Sequence, residues 1–174
     1  MKEKLLHTPE GVRDIYNSEC KRKSAVEKRI HHILELYGYQ DIETPTFEFF
    51  DIFNSDTGTV SSVEMFKFFD RNNNTLVLRP HMTPSIARSV AKYYSACEFP
   101  LRLSYRGNTF LNNRSYQGKL TEKTEMGAEL INDDSPEADA EDWRKQAPIW
   151  MWLWSIRAGS MRMIYSMPLT RTVL

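Results

Sequence analysis

The sequence contains few of the residues that form metal sites, disulfides or phosphate-binding loops. Its 174 residues include two cysteines, four histidines and seven glycines. The cysteines, Cys20 and Cys97, form no paired motif, and the histidines do not have the spacing of zinc ligands. The glycines are scattered, and no Gly-x-Ser-x-Gly turn is present to hold a nucleophilic serine. We therefore expect neither a metal nor a cofactor.

A long apolar run is also missing. No stretch of about 18 apolar residues occurs, which argues against a membrane span, and the chain does not open with the charged and then apolar segment of a secretion signal. The cytoplasm is the expected location, where thiols stay reduced. With 41% hydrophobic and 26% charged residues, the composition is that of an ordinary soluble domain.

Acidic residues are absent from the last 32 residues, and this absence divides the chain. Residues 1–142 hold all 23 acidic residues against 18 basic ones, a charge of −5, whereas residues 143–174 hold five basic residues, a charge of +5. All four tryptophans and half of the eight methionines also lie in 143–174. We expect a partial domain over 1–141 and an atypical tail over 142–174, produced by a frame change or an artificial end. An amphipathic partner-binding tail is the alternative.

Hydrophobic periodicity predicts an α+β domain. Apolar residues at helical spacing predict a helix over 18–37, with Gly38 placed to end it. Thr83 is expected to cap a second helix with Pro84 at its first position, and Ser135 to open a third. Short β-prone runs predict strands over 39–43, 65–69, 75–78, 101–106 and 122–130. Because most of these runs come in adjacent pairs, we expect an antiparallel sheet with flanking helices.

The exposed face of the first predicted helix is rich in basic residues. Such a face is able to contact nucleic acid, but acidic residues are interleaved with the basic ones, which is typical of a solvated helix. The basic residues are Lys21, Arg22, Lys23, Lys28 and Arg29, and the acidic ones are Glu19, Glu27 and Glu35. We expect no nucleic-acid partner, and an RNA-binding module is the weakest of three function hypotheses.

Two carboxylates are expected on one face of the last predicted strand. Side chains alternate along a strand, so Glu125, Gly127 and Glu129 share a face. Two carboxylates and a glycine form a plausible pocket floor for a small cationic ligand, such as the ammonium group of an amino acid. The alternative is an ordinary strand that faces solvent.

Three sequence blocks carry a family resemblance. The block "LYGYQDIETPTFEFF" (36–50) resembles motif 1 of class II aminoacyl-tRNA synthetases, and "LRPHMTPSIARSV" (78–90) resembles the histidine-pocket segment of histidyl-tRNA synthetases. The block "LRLSYRGNTF…GAELI" (101–131) resembles their motif 2 and the strand after it. The opening "LLHTPEGVRDIY" (5–16) is more similar to the synthetase paralogue that serves as the regulatory subunit of ATP phosphoribosyltransferase. The resemblance covers about residues 5–141.

The resemblance implies a class II synthetase-like core, of which the chain holds the N-terminal part, and a remnant of the histidine pocket. Thr83 and Glu129 match positions that contact histidine, whereas Glu125 stands where the synthetases have glutamine. His81 occupies a place where these families usually carry a carboxylate. Motif 1 implies a homodimer contact, which would include Gly38, Pro45 and Phe47.

The resemblance also identifies two lost positions of an ATP site. Leu111 and Asn113 stand where motif 2 of the synthetases has an arginine for the ATP α-phosphate and an acid. A preorganised cation on developing phosphoryl charge is worth about 3–4 kcal/mol, so its absence argues against adenylate formation.

The regulatory paralogue is therefore the expected function. Such a chain is not itself an enzyme: it would join the short catalytic subunit of ATP phosphoribosyltransferase in the first step of histidine biosynthesis, with histidine as a feedback effector. The alternative is a fragment of a histidyl-tRNA synthetase that activates histidine with ATP.

Overall fold

The computed structural model describes residues 6–53, 60–96, 100–112, 119–133 and Pro136. The tail over 142–174, the helix start at Ser135 and the lost ATP-site position Asn113 lie outside these ranges, so the expectations for them stay predictions. The long helices are α1 (Asn17–Leu36) and α2 (Thr83–Tyr93), and two single turns of 3₁₀ helix occur at Phe50–Ile52 and Ser62–Glu64. The strands are β1 (Gln40–Asp41), β2 (Phe47–Phe49), β3 (Lys67–Phe69), β4 (Thr75–Leu78), β5 (Leu101–Phe110) and β6 (Glu122–Ile131). Within the described ranges, no helix has both the length and the apolar character of a membrane span.

Helix α1 forms and ends as its sequence predicts. Val26, Ile30 and Leu34 follow one another at intervals of four residues and form one buried cluster with Met126 of β6. Gly38 has a φ of +78°, which glycine adopts without strain, and the N–H groups after the helix bond back to its last turn. This double backbone bond is the Schellman arrangement that stops the helix and turns the chain into β1.

The first sheet has the strand order β1-β5-β6. Strands β5 and β6 pair antiparallel over ten residues, from Leu101 opposite Ile131 to Phe110 opposite Glu122. Strand β1 pairs parallel with β5, so the sheet is not antiparallel throughout. Only strands joined by a short hairpin are forced to be antiparallel, and the chain between β1 and β5 passes through the second sheet and α2.

The second sheet has the order β2-β4-β3 and is antiparallel throughout. The adjacent strands predicted over 65–69 and 75–78 are confirmed as the hairpin of β3 and β4. In its turn, the Asp70 carboxylate accepts the backbone N–H groups of Asn72 and Asn74 at 2.9 and 2.8 Å. Strand β2 was not predicted, because three residues of the motif 1 block are too short to show a period of two.

The two helices cover opposite faces of the first sheet. On one face, Ile86 and Val90 of α2 are buried together with Leu103 and Tyr105 of β5. On the other face, α1 packs against Met126 and, with partial burial, Ala128 of β6. The expected sheet with flanking helices is therefore confirmed, and the carboxylates of β6 lie on the side of α2.

Candidate functional site

The floor of the candidate site consists of side chains from β5 and β6. Glu129 is fully buried and Glu125 is 9% exposed, so the interpretation of β6 as an ordinary solvent-facing strand is wrong. Across the ladder, Gly107 pairs with Glu125, and Tyr105 pairs with Gly127. Because paired residues of antiparallel strands point to the same side, these groups share the face under α2.

Tyr105 lies across the glycine of the floor. A Cβ atom on Gly127 would lie 2.4 Å from the Tyr105 hydroxyl oxygen, so only glycine leaves room for the ring. Burial raises the pKa of the Tyr105 phenol well above its ordinary value, and Glu129 and Glu125 add to the shift. The hydroxyl therefore stays protonated, and it is buried with no hydrogen-bond partner in the described part of the chain.

Glu125 also presents a polar atom without a partner. Burial raises the pKa of its carboxyl, against the opposing effects of a hydrogen bond from Thr109 and the charges of Lys123 and Arg79. Its Oε2 atom is buried, and no described residue hydrogen-bonds to it. A buried unsatisfied acceptor costs about 1–3 kcal/mol, and more when charged. A ligand that donates a hydrogen bond here would recover that free energy.

The second carboxylate is held by α2. The Thr83 hydroxyl donates a hydrogen bond to Oε1 of Glu129 at 3.0 Å. The sequence predicted that Thr83 would cap α2, but the N-cap is Met82, without a side-chain cap bond, and Thr83 is the first residue of the helix. The Thr83 hydroxyl points to the site instead of to its own helix, which explains the wrong prediction.

His81 lies in the short segment between β4 and α2. Its ring contacts the Phe53 ring edge-on, with centroids 5.9 Å apart. Burial lowers the pKa of the imidazole, which favours the neutral form. Glu125 and Glu129 thus share the floor, Thr83 of α2 bonds to Glu129, and His81 stays a predicted member of the site.

Arg79 is a buried residue near the floor; the sequence places it in the polar stretch that closes β4, but it was not among the predicted site residues. It is 5% exposed, and its guanidinium donates to the backbone oxygens of Thr44, Pro45 and Asn108. A Cβ on Gly107 would lie 2.3 Å from Nη2 of Arg79, so this glycine leaves space for the guanidinium. The available signal was a charged residue directly after the apolar run of β4.

Leu111 follows the end of β5, where the resemblance expects the cation for ATP. Its N–H donates to the oxygen of Thr121 at 2.9 Å, which extends the strand contact by one residue. An alkyl side chain at this point supplies no charge for a phosphate. No cluster of three or more metal-ligating side chains occurs among the described residues.

The motif 1 residues belong to a different surface. Gly38 ends α1, the carbonyl of Pro45 accepts from Arg79, and Phe47 is 52% exposed. Phe49 of β2 is 53% exposed and Phe68 of β3 is 37% exposed, and the Phe47 and Phe68 rings meet with centroids 5.8 Å apart. We call Phe47, Phe49 and Phe68 the aromatic face of the second sheet.

Comparison with known sequences decides the family. A family model described as histidyl-tRNA synthetase matches residues 11–145. The chain belongs to the histidyl-tRNA synthetase family. The match includes all three sequence blocks on which the resemblance rests, and it takes in most of the described residues.

Curated relatives within this family carry a regulatory name. The chain is 44% identical, over 141 residues, to the ATP phosphoribosyltransferase regulatory subunit of Acetivibrio thermocellus, covering 81% of this chain and 34% of that protein. It is 42% identical to the regulatory subunit of Clostridium novyi, covering 78% of this chain and 32% of that protein. The chain therefore spans about a third of the length of these relatives.

Solved structures of the family share the fold. A crystal structure from Bacillus halodurans, described as an ATP phosphoribosyltransferase regulatory subunit/histidyl-tRNA synthetase, matches with a TM-score of 0.76 at 34% identity, covering 84% of this chain and 38% of that one. Apo histidyl-tRNA synthetase of S. aureus matches with a TM-score of 0.70 at 26% identity, covering 84% and 34%. The predicted class II synthetase-like α+β fold, present as its N-terminal part, is confirmed.

Proposed function

We propose that the chain is the N-terminal part of a non-catalytic regulatory subunit of ATP phosphoribosyltransferase. One combination of features carries the proposal: Glu125 and Glu129 are buried on one face of β6, which we call the carboxylate pocket, while the residue after β5 is Leu111 rather than a cation for ATP. A protein that binds an amino acid without activating it needs the first feature and not the second. The regulatory names of the relatives at 44% and 42% identity support the same function.

The proposed ligand of the pocket is histidine, acting as a feedback effector. Glu125 offers an unpaired acceptor and Tyr105 an unpaired hydroxyl, both buried in the face under α2. An amino acid supplies an ammonium group with three donors, and the imidazole of histidine supplies a further ring N–H and a ring acceptor. His81, Thr83 and Glu129 complete the proposed site, with Glu129 oriented by the Thr83 hydroxyl.

Two protein partners belong to the proposal. The first is the short catalytic subunit of ATP phosphoribosyltransferase, which would perform the condensation of ATP with phosphoribosyl pyrophosphate in the cytoplasm. The second is another copy of this chain, bound through motif 1 at Gly38, Pro45 and the aromatic face.

The aromatic face suits a contact between identical copies. Its paired side chains are Phe47, Phe49, Phe68 and the leucines of β4 opposite them, and no charged group is among these pairs. The charged neighbours Glu48 and Lys67 pair with Val77 and point to the other side of the sheet. A surface of one chemical type is self-complementary, as a twofold contact requires.

The alternative function is that of a histidyl-tRNA synthetase fragment that forms histidyl-adenylate. The description of the matching family and the fold shared with the S. aureus enzyme favour it. It requires a cation for the ATP α-phosphate, which Leu111 does not provide.

A pyrophosphate exchange assay separates the two functions. We expect no histidine-dependent exchange of labelled pyrophosphate into ATP, because the pocket lacks the phosphate cation. A no-histidine reaction is the matched control. Exchange clearly above that control would overturn the regulatory proposal in favour of the synthetase. Binding of histidine by calorimetry, in the absence of exchange, is the result that the regulatory proposal expects.

A further inference from the structure

Arg79 stands where the two sheets meet. It directly follows β4, which belongs to the second sheet. Its backbone N–H donates to the oxygen of Thr46, just before β2, and its own carbonyl accepts from the N–H of Phe110, the last residue of β5. Both bonds measure 3.0 Å. The backbone of one residue thus joins the segment that leads into the aromatic face to the strand that carries the pocket.

The side chain of Arg79 makes the same connection a second time. Nη1 donates to the oxygens of Thr44 at 2.6 Å and Pro45 at 3.0 Å, and Nε donates to the oxygen of Asn108 at 2.8 Å. Burying a charge is costly unless it is hydrogen-bonded, and here three carbonyls accept from Nη1 and Nε. A lysine offers a single ammonium instead of a planar fork and is unable to reach both segments in this way.

The guanidinium also lies beside the floor of the pocket. Nη2 occupies the space above Gly107, and Gly107 is the cross-strand partner of Glu125. The carbonyls of Thr44 and Pro45 hold the Arg79 guanidinium in place. The position of its positive charge next to the Glu125 carboxylate therefore depends on the position of these two residues. A shift of that segment changes the electrostatic environment of the carboxylate without any direct contact.

A second link runs through α2 to the other carboxylate. Glu48 lies on β2 between Phe47 and Phe49, and it is 8% exposed, with its side chain on the side opposite the aromatic face. Arg88 of α2 donates to its carboxylate, with Nη2 at 2.7 Å and Nε at 3.2 Å. The same helix begins with the threonine that holds Glu129. Strand β2 is thus connected to Glu129 through α2, and the segment directly before β2 is connected to the neighbourhood of Glu125 through Arg79.

We propose that Arg79 is a positioning residue that couples the aromatic face to the carboxylate pocket, so that self-association and binding of a cationic amino acid favour each other. The proposal rests on the proposed function, which places a second copy on the aromatic face and histidine in the pocket. A second copy that fixes the segment 44–49 fixes the guanidinium as well, so the pocket is ordered before the ligand arrives. The entropy cost of ordering this segment and the pocket is then incurred once rather than at both binding steps. By thermodynamic linkage, dimerisation strengthens ligand binding by the same factor by which the ligand strengthens dimerisation.

The test measures self-association with and without ligand. Sedimentation velocity over a concentration series gives the dimer dissociation constant of the full chain, in buffer and in saturating L-histidine. We expect histidine to tighten the dimer by roughly fivefold or more, the usual lower end of allosteric coupling. Arg79→Lys removes the guanidinium that bonds to both segments. Gly107→Ala keeps the guanidinium but displaces it from its position. In both variants we expect dimerisation and histidine binding to persist while the ratio of the two dissociation constants falls to about one.

The control is Arg106→Lys. Arg106 is the neighbour of Gly107 on β5, but its side chain donates to Glu27 of α1 on the opposite side of the sheet. This variant should keep the full ratio. If Arg79 had a merely structural role, its substitution would weaken dimerisation and histidine binding independently. The ratio of the dimer dissociation constants without and with histidine would then stay unchanged, so this ratio reports on positioning.

The outcomes separate this proposal from the proposed function. A ratio of one in the unsubstituted chain, with histidine binding intact, overturns the coupling and leaves the proposed ligand in place. A full ratio in Arg79→Lys overturns the role of Arg79. No histidine binding by calorimetry overturns the proposed ligand and the coupling together. If circular dichroism shows that Arg79→Lys does not fold, Gly107→Ala decides, because it retains the guanidinium.

Discussion

The two sheets of this chain are incomplete in opposite ways. The first sheet is covered on both faces by α1 and α2, yet its interior holds a carboxylate oxygen of Glu125 and the hydroxyl of Tyr105 without described partners. On the second sheet, Arg88 satisfies the buried carboxylate of Glu48, yet the three phenylalanine rings of the aromatic face lie partly in solvent. The first sheet therefore needs a hydrogen-bonding partner for its buried polar atoms, and the second needs an apolar surface to cover its exposed rings. A small ligand completes one, and a protein surface completes the other.

The largest expected effect is on the free energy of unfolding and comes from the covered sheet. Leu103 is fully buried between β5 and α2, so Leu103→Ala removes apolar contacts and leaves a cavity. We expect the free energy of unfolding, measured in urea, to fall by about 2–5 kcal/mol. Phe49→Ala, on the open sheet, is the matched control and should cost less than about 1 kcal/mol at concentrations where the chain is monomeric. Equal losses in the two variants would contradict the contrast between the sheets.

The next effect concerns the ligand. Glu129→Ala should weaken histidine binding by about 1.5–3 kcal/mol, the typical worth of a hydrogen bond to a charged group. Calorimetric titration measures the change. Glu122→Ala is the control, because Glu122 lies on the same strand but its carboxylate accepts from Asn108 at the far end. An unchanged titration curve for Glu129→Ala would assign the two buried glutamates a purely structural role.

A smaller effect is expected at the open sheet. The double variant Phe47→Ser, Phe49→Ser removes two half-exposed rings, so we expect dimerisation to weaken by about 1–2 kcal/mol while the monomer keeps its stability. Sedimentation velocity at micromolar concentration provides the measurement. Leu36→Ser is the control, because Leu36 is 72% exposed at the end of α1. Dimers that tolerate the double variant would place the contact elsewhere.

The stability of the covered sheet should depend on pH through Glu125. Burial raises the pKa of this carboxyl above 4.5, its value in the unfolded chain, so the folded state holds the proton more tightly. Its contribution is favourable at low pH and is lost as the pH rises through the folded pKa. Glu125→Gln should therefore gain stability relative to the unsubstituted chain between about pH 4 and pH 7, on the order of 1 kcal/mol. Urea unfolding at both pH values measures this gain, and a difference that is constant with pH would contradict the assignment.

The smallest expected effect is that of the tail. All the strand pairings described for the two sheets lie within residues 40–131, so deleting residues 143–174 should change the free energy of unfolding by less than about 1 kcal/mol and improve solubility. All four tryptophans lie in this segment, and their fluorescence should be red-shifted and readily quenched in the full chain. A deletion that unfolds the chain would show that the tail is part of the fold.

Sequence periodicity predicted the elements that bury a regular stripe. Helix α1, with Val26, Ile30 and Leu34 at fixed intervals, is of this kind, and β6 with its alternating glutamates is another. It failed where three-dimensional contacts override local preference. Strand β2 is too short to show a period, and the parallel pairing of β1 depends on a chain path that no local pattern records.

The candidate site was predictable in its floor and not in its supports. Glu125 and Glu129 share a face by simple alternation, so their position followed from the sequence. The Thr83 hydroxyl has a choice between its own helix and Glu129, and only the packing of α2 on β6 decides it. Arg79 contacts residues 29 to 35 positions away, and such separations leave no trace in a local pattern.

Gly107 and Gly127 have a consequence for the variation of this family. Each glycine lacks a side chain, and another residue fills the space where one would be: Arg79 at Gly107 and Tyr105 at Gly127. A larger residue at either position displaces the side chain that fills this space, at a cost that a smaller side chain there avoids. The two pairs should therefore tend to change together in evolution, and relatives with alanine at the position of Gly107 should more often carry a smaller residue in place of the arginine. Covariation between positions 28 and 22 residues apart in sequence would then record the shape of the pocket in chains whose structures are unknown.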